Sequence, residues 1–342
     1  MPVVKADAYR HGALEVSRVL EKEGARWLAV SNVDEGVALR EAGIGTRILV
    51  MADFLPVERE ALLEHQLTPV LHSLEDIASL NALAERTGAP ALYHLKIDSG
   101  MGRLGTQEEP EAILAAIRAN PSARLEGIMT HFASAADYGS SQTELQVARF
   151  HRVTEALVAG GVRPHYLHLS STTPIAYGRK VAWGSMVRPG HAIYGYVSPS
   201  RGDAPERVLS VQPALSWKTV ILAVKDLPEG ALIGYGGMYR AARPTKIAVL
   251  AAGYADGIPH RLSNRGRVIA GGKLAPIIGA VSMDVTTIDI TQLPQLRVGD
   301  PVTLLGAEGD IRIDAQQIAR TAGTISYSVL CGISARVKRV YV

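Results

Sequence analysis

The ten residues Val3-Val4-Lys5-Ala6-Asp7-Ala8-Tyr9-Arg10-His11-Gly12 decide how the rest of the sequence is interpreted. A short β-rich run ends on Lys5, and a turn at Gly12 leads into a helical pattern. A lysine at the carboxyl end of a strand, among apolar neighbours, can have its pKa lowered by desolvation. Such an amine can form a Schiff base with an aldehyde. On these ten residues alone, a lysine that points into solvent is the simpler interpretation.

The same strand–helix alternation continues after this stretch to about residue 198. Helical patterns lie between the strands, and Gln142–Ala159 is the longest, with apolar residues at helical spacing. The eight predicted strands are Val3–Lys5, Arg26–Ser31, Arg47–Ala52, Thr68–His72, Leu92–Asp98, Leu125–His131, Tyr166–Ser170 and Met186–Tyr194.

Eight strands separated by helices predict a (β/α)8 barrel of the TIM type. A doubly wound sheet would give the same alternation, but the count of eight and the polar residues at strand ends favour the barrel. Functional residues of a barrel gather at the carboxyl ends of its strands. Lys5, His72, Asp98, His131, Ser170 and Arg188 all lie near such ends.

After about residue 199 the pattern changes to short β-rich runs separated by Gly-rich turns such as Gly234–Gly237. The predicted strands include Ala214–Lys225, Thr245–Ala252 and Val337–Val342, and Asp314–Ala322 is one short predicted helix. We therefore expect an α/β protein with two domains, a barrel over residues 1–200 and an all-β domain over residues 201–342.

Composition excludes several classes of protein. The chain has 342 residues, enough for two domains, and its net charge of +3 is too small to indicate nucleic acid or an acidic membrane surface as a partner. Its single cysteine, Cys331, excludes an intrachain disulfide and fits a reducing compartment. Neither a membrane-spanning run nor a secretory signal is visible. These features predict a cytoplasmic enzyme.

A second cluster runs from Lys96 to Gly105, with the sequence Lys-Ile-Asp-Ser-Gly-Met-Gly-Arg-Leu-Gly. Glycines on both sides of Arg103 let the backbone bend after the strand and bring that side chain to the barrel mouth. A guanidinium fork suits a carboxylate ligand. A solvated arginine on a Gly-rich surface loop explains the pattern equally well.

Strand ends further along the chain carry polar residues of a different kind. Ser170-Ser171-Thr172 places hydroxyl groups and free backbone amides at a strand-to-helix turn, which suits an anion but also suits a simple helix cap. His131 alone would usually be a hydrogen-bonded core residue. Arg188 precedes Pro189-Gly190 and stays protonated at any working pH.

Together these motifs resemble the alanine racemase family, whose members use pyridoxal 5′-phosphate (PLP). The first stretch resembles the family segment V-V-K-A-D-A-Y-G-H-G, and the second resembles K-x-D-T-G-M-G-R-L-G. Seven such motifs occur in one order between Val3 and Cys331. They include Tyr235 and Tyr254 among glycines and the segment Ser282-Met283-Asp284.

The resemblance implies roles for individual residues. Lys5 and Tyr235 would be the two catalytic bases, and Lys96 matches a lysine that is carbamylated in some members. The cofactor would be held by Lys5, Tyr9, His131, Ser171, Arg188, Gly190 and Tyr327, and the substrate by Arg103, Met283 and Tyr254. The family resemblance implies PLP as cofactor and no metal.

The implied reaction interconverts L-alanine and D-alanine by two-base proton transfer on the external aldimine of PLP, and supplies D-alanine for cell-wall peptidoglycan. Family members are homodimers in which the β domain of one chain faces the barrel mouth of the other. Tyr235, Tyr254 and Met283 would then act across the dimer. Arginine facing the pyridine nitrogen, in place of a carboxylic acid, should leave that nitrogen unprotonated and discourage transamination.

Two alternatives of function remain at the level of sequence. One is another PLP enzyme of this fold, a broader amino-acid racemase or a decarboxylase. The other is a PLP-binding protein without turnover, which the β domain argues against because single-domain proteins of that kind have no counterpart of Tyr235.

The chain also departs from the family pattern. Arg10 stands where the family has glycine, Ser170 replaces an asparagine, and His191 replaces an apolar residue. Only four residues precede Lys5, whereas family members carry a longer segment there. We expect its absence to cost stability, since it would leave apolar surface and a strand edge exposed.

Overall fold

The structure is a computed structural model that describes residues 1–52 and 55–342. The chain divides into two compact units. The first comprises Met1–Ala8 and Gly12–Gln212, and the second comprises Tyr9–His11 and Pro213–Val342.

The first unit is built on a parallel sheet of six strands that pair in chain order, as successive strand–helix units require. Most strand residues are buried, which is typical of parallel strands covered on both faces. The strands are β1 (Trp27–Val30), β2 (Arg47–Val50), β3 (Leu67–Leu71), β4 (Ala91–Lys96), β5 (Ala123–Met129) and β6 (Tyr166–His168).

Irregular backbone occupies the first and eighth strand positions of this barrel. Val3 forms a parallel bridge with Ala29 of β1 and donates its N–H to Pro189 at 2.9 Å. Arg188 donates its N–H to Ser170, which follows β6, at 2.9 Å. The predicted strand at residues 186–194 is wrong because Pro189 lacks an N–H for a ladder and residues 191–194 form a 3₁₀ helix. The barrel prediction itself is confirmed.

Helices follow the strands as the periodicity predicted, and several of them pack apolar side chains into the core of the sheet. Helix α7 contributes Phe150, Val153 and Leu157 to the core around β4 and β5. Ser73 caps α5 through its side chain, and Gly88 ends that helix in the left-handed conformation. Helix α1 (Lys5–Arg10) begins in this unit and ends in the second. The other helices of this unit are α2 (Ala13–Lys22), α3 (Val33–Glu41), α4 (Arg59–Glu64), α5 (Leu74–Thr87), α6 (Pro110–Ala119), α7 (Gln142–Ala159) and α8 (Thr172–Ala176).

Helix α1 is unusual because its backbone is left-handed. The φ angles of residues 6–10 lie between 53° and 65°, although none of these residues is glycine. This conformation costs roughly 1–2 kcal/mol per residue. Side-chain carboxylates support the turn, since Glu35 accepts from the N–H of Ala6 and Asp7 accepts from that of Ala13. Lys5 was predicted at a strand end, and the structure instead makes it the first residue of this turn.

The second unit is a sheet of seven strands in which every pairing is antiparallel, with order β12-β11-β14-β7-β10-β13 and with β15 paired to β14. A short hairpin of β8 and β9 stands apart from it. The strands are β7 (Trp217–Leu227), β8 (Leu232–Ile233), β9 (Tyr239–Arg240), β10 (Thr245–Leu250), β11 (Arg267–Ala270), β12 (Lys273–Pro276), β13 (Thr286–Asp289), β14 (Pro301–Glu308) and β15 (Ile311–Ile313).

Two helices complete this unit, α9 (Ala315–Ala322) and α10 (Ser326–Gly332), and the sequence pattern predicted only the first. The predicted strand at residues 337–342 is wrong. The Arg339 guanidinium bonds to the carbonyl oxygens of Ile333, Ser334 and Val337, so local side-chain contacts replace a strand ladder there. Across residues 1–52 and 55–342, no helix is long and apolar enough to cross a membrane.

Asp314 is predicted to matter for the stability of the second unit, because it forms a capping box with Gln317 at the start of α9. Asp314→Ala removes the acceptor for the Gln317 N–H and should cost about 0.5–2 kcal/mol of unfolding free energy. Asp314→Asn keeps an acceptor oxygen and serves as the control. Urea titration measures both, and equal stability of the two variants would contradict the capping role.

Candidate active site

The carboxyl end of β4 carries a buried amine. Lys96 is only 4% exposed, and its pKa is lowered to about 8. Burial is the largest cause, followed by the positive charges of Arg103 and Arg188 and, more weakly, of Lys5, while Asp98 acts in the opposite direction. Four cationic side chains thus act on one another at the barrel mouth. At neutral pH a larger fraction of Lys96 is neutral than of an ordinary lysine.

Arg188 lies deeper, fully enclosed between the strand ends, and is 2% exposed. Among the residues that the structure describes, its guanidinium bonds only to neutral acceptors: the carbonyl oxygens of Thr130, His168 and Leu169 and the ring nitrogen Nδ1 of His168. Burial lowers its pKa to about 9. The guanidinium is therefore held rigidly, without a carboxylate against it.

The loop that carries Arg103 is folded around one carboxylate. Oδ1 of Asp98 accepts hydrogen bonds from all three backbone N–H groups of residues 100–102, at 2.9–3.1 Å. Burial raises the pKa of Asp98, but these hydrogen bonds and one from a neighbouring side chain outweigh it, and the net pKa is lowered. Gly105 closes the loop at φ 114°, where a Cβ would lie 2.8 Å from the Asp98 nitrogen. The exposed Arg103 sits within this loop.

His131, on the segment after β5, faces the same set of charges. Its pKa is lowered to about 3, first by burial and then by the charges of Arg188, Lys96, Arg103 and Lys5. The ring is therefore neutral at physiological pH and can accept a hydrogen bond on one nitrogen. This agrees with a network role and not with that of an acid.

The turn before α8 offers a hydroxyl group. Ser171 stands at the N-cap position, yet its side chain makes no capping hydrogen bond, so the simple cap interpretation does not hold. The Thr172 hydroxyl instead accepts the N–H groups of Gly190 and Ala192, at 3.2 and 3.1 Å. Gly190 can therefore donate to a ligand only if Thr172 gives way.

In the second unit, two predicted cofactor residues lie side by side. The rings of Tyr9 and Tyr327 have centroids 5.8 Å apart and are tilted by 46°. Tyr9 is 8% exposed, and burial, with smaller contributions from Tyr327 and Cys331, raises its pKa well above the ordinary value. The Tyr9 phenol therefore stays protonated and can donate.

The predicted second base occupies a different, exposed position in this unit. Tyr235 begins a 3₁₀ turn after β8 and is 77% exposed. Gly234, at φ 74°, lets this turn approach the backbone of Ala280, since a Cβ would lie 3.0 Å from its nitrogen. Binding and catalytic residues often lie on such loops, so this position is compatible with a binding role.

Tyr254 and Met283 lie on two loops that are bonded to each other. The N–H of Tyr254 donates to the Ser282 carbonyl at 2.9 Å, and that of Ala255 donates to the Met283 carbonyl at 3.0 Å. Gly253 permits this approach, because a Cβ would lie 2.3 Å from both carbonyl oxygens. Tyr254 and Met283 are about half exposed.

The predicted site residues thus form three groups. Lys5, Lys96, Arg103, His131 and Arg188 interact electrostatically at the barrel mouth. Tyr9 and Tyr327 form a second group, and the exposed loops of Tyr235, Tyr254 and Met283 form a third. Sequence reasoning missed Gln146, on α7, which bonds to Ser99 and to the backbone of residues 131 and 133. Gln146 belongs to an ordinary amphipathic helical pattern, so nothing in the sequence distinguishes it from other polar helix residues.

A lysine, two arginines and a neutral histidine lie at the strand ends of a parallel barrel, where barrel enzymes have their active sites. Their positive charges indicate an enzyme of this class that binds anionic ligands next to an amine. Comparison with known proteins specifies the class. Residues 1–199 match the family model of the alanine racemase N-terminal domain, and residues 214–341 match that of the alanine racemase C-terminal domain. The chain belongs to the alanine racemase family, whose members are PLP-dependent isomerases.

Individual relatives agree over the full length. The alanine racemase of Halothermothrix orenii is 42% identical over 342 residues, covering 100% of this chain and 89% of the relative. The structure of alanine racemase from Streptomyces coelicolor superposes with a TM-score of 0.93 at 31% identity, covering 100% of this chain and 91% of the other. The Bartonella henselae enzyme, solved with covalently bound pyridoxal phosphate, gives 0.88 at 26% identity, covering 100% and 92%.

The Arg103 loop should depend on Asp98. Asp98→Ala leaves three loop N–H groups without their acceptor, and hydrogen bonds to a charged group are worth about 1.5–3 kcal/mol. We expect amide hydrogen exchange at residues 100–102 to accelerate by about tenfold or more. Gln107→Ala, which removes one bond to Oδ2 of Asp98 and none from the loop backbone, is the control. Equal exchange in both variants would show that Asp98 does not order the loop.

Proposed function

We propose that this protein is an alanine racemase that holds PLP on Lys5 and interconverts L-alanine and D-alanine with Lys5 and Tyr235 as its two bases. The observation that carries the proposal is the concentration of positive charge at the barrel mouth around a buried amine of lowered pKa. Such a site favours an anionic aldehyde cofactor and the carboxylate of an amino acid.

The donors of the chain fit PLP. A phosphate needs hydrogen-bond donors, and the uncapped hydroxyl of Ser171 and the phenols of Tyr9 and Tyr327 would supply them. The Gly190 N–H would join them only after it leaves the Thr172 hydroxyl. Arg188 would face the pyridine nitrogen, with His131 as a neighbour. When bound, PLP withdraws electrons from the substrate α-carbon and makes the α-proton acidic.

The chain's own residues then move the proton. Racemisation requires one group on each face of the α-carbon, one to remove the proton and one to return it. Lys5 would serve D-alanine and Tyr235 would serve L-alanine. Arg103 and the backbone of Met283 would hold the substrate carboxylate, and Tyr254 would line the entrance. A fixed carboxylate keeps the α-hydrogen directed at one base or the other.

Lys96 would not be a third base. Its buried, partly neutral amine is suited to attack carbon dioxide, forming an N–C bond and releasing a proton, so that a carbamate replaces the ammonium. The resulting negative charge would pair with Arg103 and relieve the repulsion among the cations. We propose this modification on the same electrostatic grounds.

The exposed aromatic loops support a homodimer with shared active sites. Tyr235 is 77% exposed and Met283 is 53% exposed on the second unit. Apolar and aromatic side chains grouped on neighbouring loops are typical of a surface that meets a partner. We propose that Tyr235, Tyr254 and Met283 complete the barrel site of a second copy. We further propose a cytoplasmic enzyme that supplies D-alanine for peptidoglycan.

The alternatives fit the observations less well. A PLP-binding protein without turnover would have no use for an exposed tyrosine on a glycine turn. A broader racemase or a decarboxylase of the same fold would share the cofactor site, and only the substrate pocket would differ. Full-length similarity to alanine racemases favours alanine.

Lys5 is predicted to carry the cofactor. Borohydride reduces an imine to a stable amine, so mass spectrometry of the reduced, digested holoenzyme should place the adduct on the peptide containing Lys5. Lys96→Arg is the control, because it removes the other amine of the barrel mouth and should leave the adduct in place. An adduct confined to lysines other than Lys5 would contradict the assignment.

Tyr235→Phe should abolish proton transfer on only one face of the substrate α-carbon. Loss of a positioned base typically costs ~10²–10⁴ in rate, roughly 3–5 kcal/mol of barrier, and racemisation should fall in both directions because each needs both groups. In D₂O, Lys5 can still remove the α-proton of D-alanine and return deuterium to the same face. D-alanine should therefore lose its α-proton NMR signal with configuration retained, and L-alanine should exchange much more slowly.

The matched control for this variant is Tyr239→Phe, a half-buried tyrosine on the same hairpin. It should leave racemisation and exchange close to wild type. If both enantiomers lose their α-proton signals equally fast in Tyr235→Phe, a single base or water serves both faces and Tyr235 has no such role.

A further inference from the structure

A row of polar side chains crosses the barrel core below the site. It begins at Arg188 and continues through His168, at the end of β6, and His94, on β4. Both histidine rings are completely buried. Arg188 lies 2.9 Å from Nδ1 of His168, and Nε2 of His168 lies 2.7 Å from Nδ1 of His94.

The row ends at Glu126, which reaches the core through an irregularity of β5. Leu125 pairs with Tyr93 and Gly127 pairs with His94, so Glu126 is the extra residue of a β-bulge. Gly127 makes room for the imidazole, because a Cβ there would lie 2.6 Å from Nδ1 of His94. The bulge and the glycine together bring the carboxylate to the histidine.

Glu126 faces two groups. Its oxygen Oε2 lies 3.6 Å from Nε2 of His94, which is longer than a formed hydrogen bond but well within electrostatic reach. Arg47 of β2 binds both carboxylate oxygens, at 2.7 and 2.6 Å. Burial raises the pKa of Glu126, yet His94 and Arg47 outweigh it and the net pKa is about 2. The carboxylate is therefore ionised and can only accept.

The two ends of the row fix the protons between them. Arg188 can only donate, so Nδ1 of His168 must accept and its proton must sit on Nε2. That proton points at Nδ1 of His94, which must also accept and must carry its own proton on Nε2, towards Glu126. The pKa values of both imidazoles are lowered, mainly by burial, which agrees with two neutral rings.

We propose that Glu126 is a positioning residue that acts through His94 and His168 to hold the Arg188 guanidinium in one orientation. The carboxylate stabilises the Nε2–H tautomer of His94, this keeps His168 as an acceptor, and Arg188 keeps its bond to the His168 ring. The consequence for catalysis rests on the proposed function, in which Arg188 faces the pyridine nitrogen and discourages transamination.

Removal of the carboxylate should allow the direction of hydrogen bonding along the row to reverse. In Glu126→Leu, the Nε2–H of His94 would be buried without an acceptor, and the released Arg47 could donate to that nitrogen instead. His94 and His168 would then carry their protons on Nδ1, and His168 would present an N–H to Arg188. Glu126→Gln keeps an acceptor oxygen at the same place and should preserve the original direction.

Arg47→Gln is the matched control, because it breaks the same ion pair but leaves Glu126 facing His94. A role of Glu126 limited to joining β2 and β5 would give this variant and Glu126→Leu the same defects. Arg47 lies outside the site residues, so the proposal predicts activity within about threefold of wild type for Arg47→Gln.

The test uses nitrogen NMR of the histidine rings in the cofactor-free protein, with a second readout in the holoenzyme. Wild type, Glu126→Gln and Arg47→Gln should show His94 and His168 as neutral Nε2–H tautomers between pH 6 and pH 8. Glu126→Leu should show a mixture or the Nδ1–H form. In the holoenzyme, conversion of the cofactor to its amine form, per racemisation turnover, should rise about tenfold in Glu126→Leu alone.

Three results would overturn the proposal: an Nδ1–H tautomer on either histidine in wild type, a single Nε2–H tautomer retained in Glu126→Leu, or the same change in Arg47→Gln. If Glu126→Leu does not fold, Glu126→Met, which also lacks an acceptor oxygen, takes its place in the same comparison. Correct tautomers in a protein that does not racemise alanine would refute only the proposed function. An active racemase whose tautomers do not depend on Glu126 would refute only the positioning role.

Discussion

Concentrated positive charge at the barrel mouth is the constraint on which the site depends. Burial of Lys96 near Arg103 and Arg188 lowers its pKa to about 8, and the nearby Asp98 carboxylate is occupied by loop amides. Cations held this close destabilise one another unless an anion joins them. A phosphorylated cofactor, a substrate carboxylate and a carbamate on Lys96 would each satisfy this requirement.

A second constraint is the left-handed turn of residues 5–10, which begins at the candidate nucleophile. Its positive φ angles cost energy that neighbouring carboxylates offset, since Glu35 and Asp7 accept the amides around it. Arg10 adopts φ 65° where the family has glycine, so the larger residue does not prevent the turn. The same turn leads from Lys5, which belongs to the first unit, to Tyr9, which belongs to the second.

Much of this could be predicted from the sequence, because strand–helix alternation and hydrophobic periodicity depend on local pattern. Six strands and most helices of the barrel lie within a few residues of the prediction. The segment around Pro189 differs because backbone bonding there depends on distant residues. The place of Glu126 could not be predicted, since a β-bulge arises from the register between two strands. The roles of the motif residues stay predictions that resemblance suggested and the geometry makes chemically reasonable.

The most direct test is the reaction itself, followed from both directions. Purified protein supplied with PLP should convert L-alanine to a mixture with equal amounts of L- and D-alanine, and it should reach the same mixture from D-alanine, because enantiomers have equal free energies. Chiral chromatography over time measures both. A protein that binds PLP but leaves both enantiomers unchanged, or that releases carbon dioxide or pyruvate in place of the opposite enantiomer, would contradict the account.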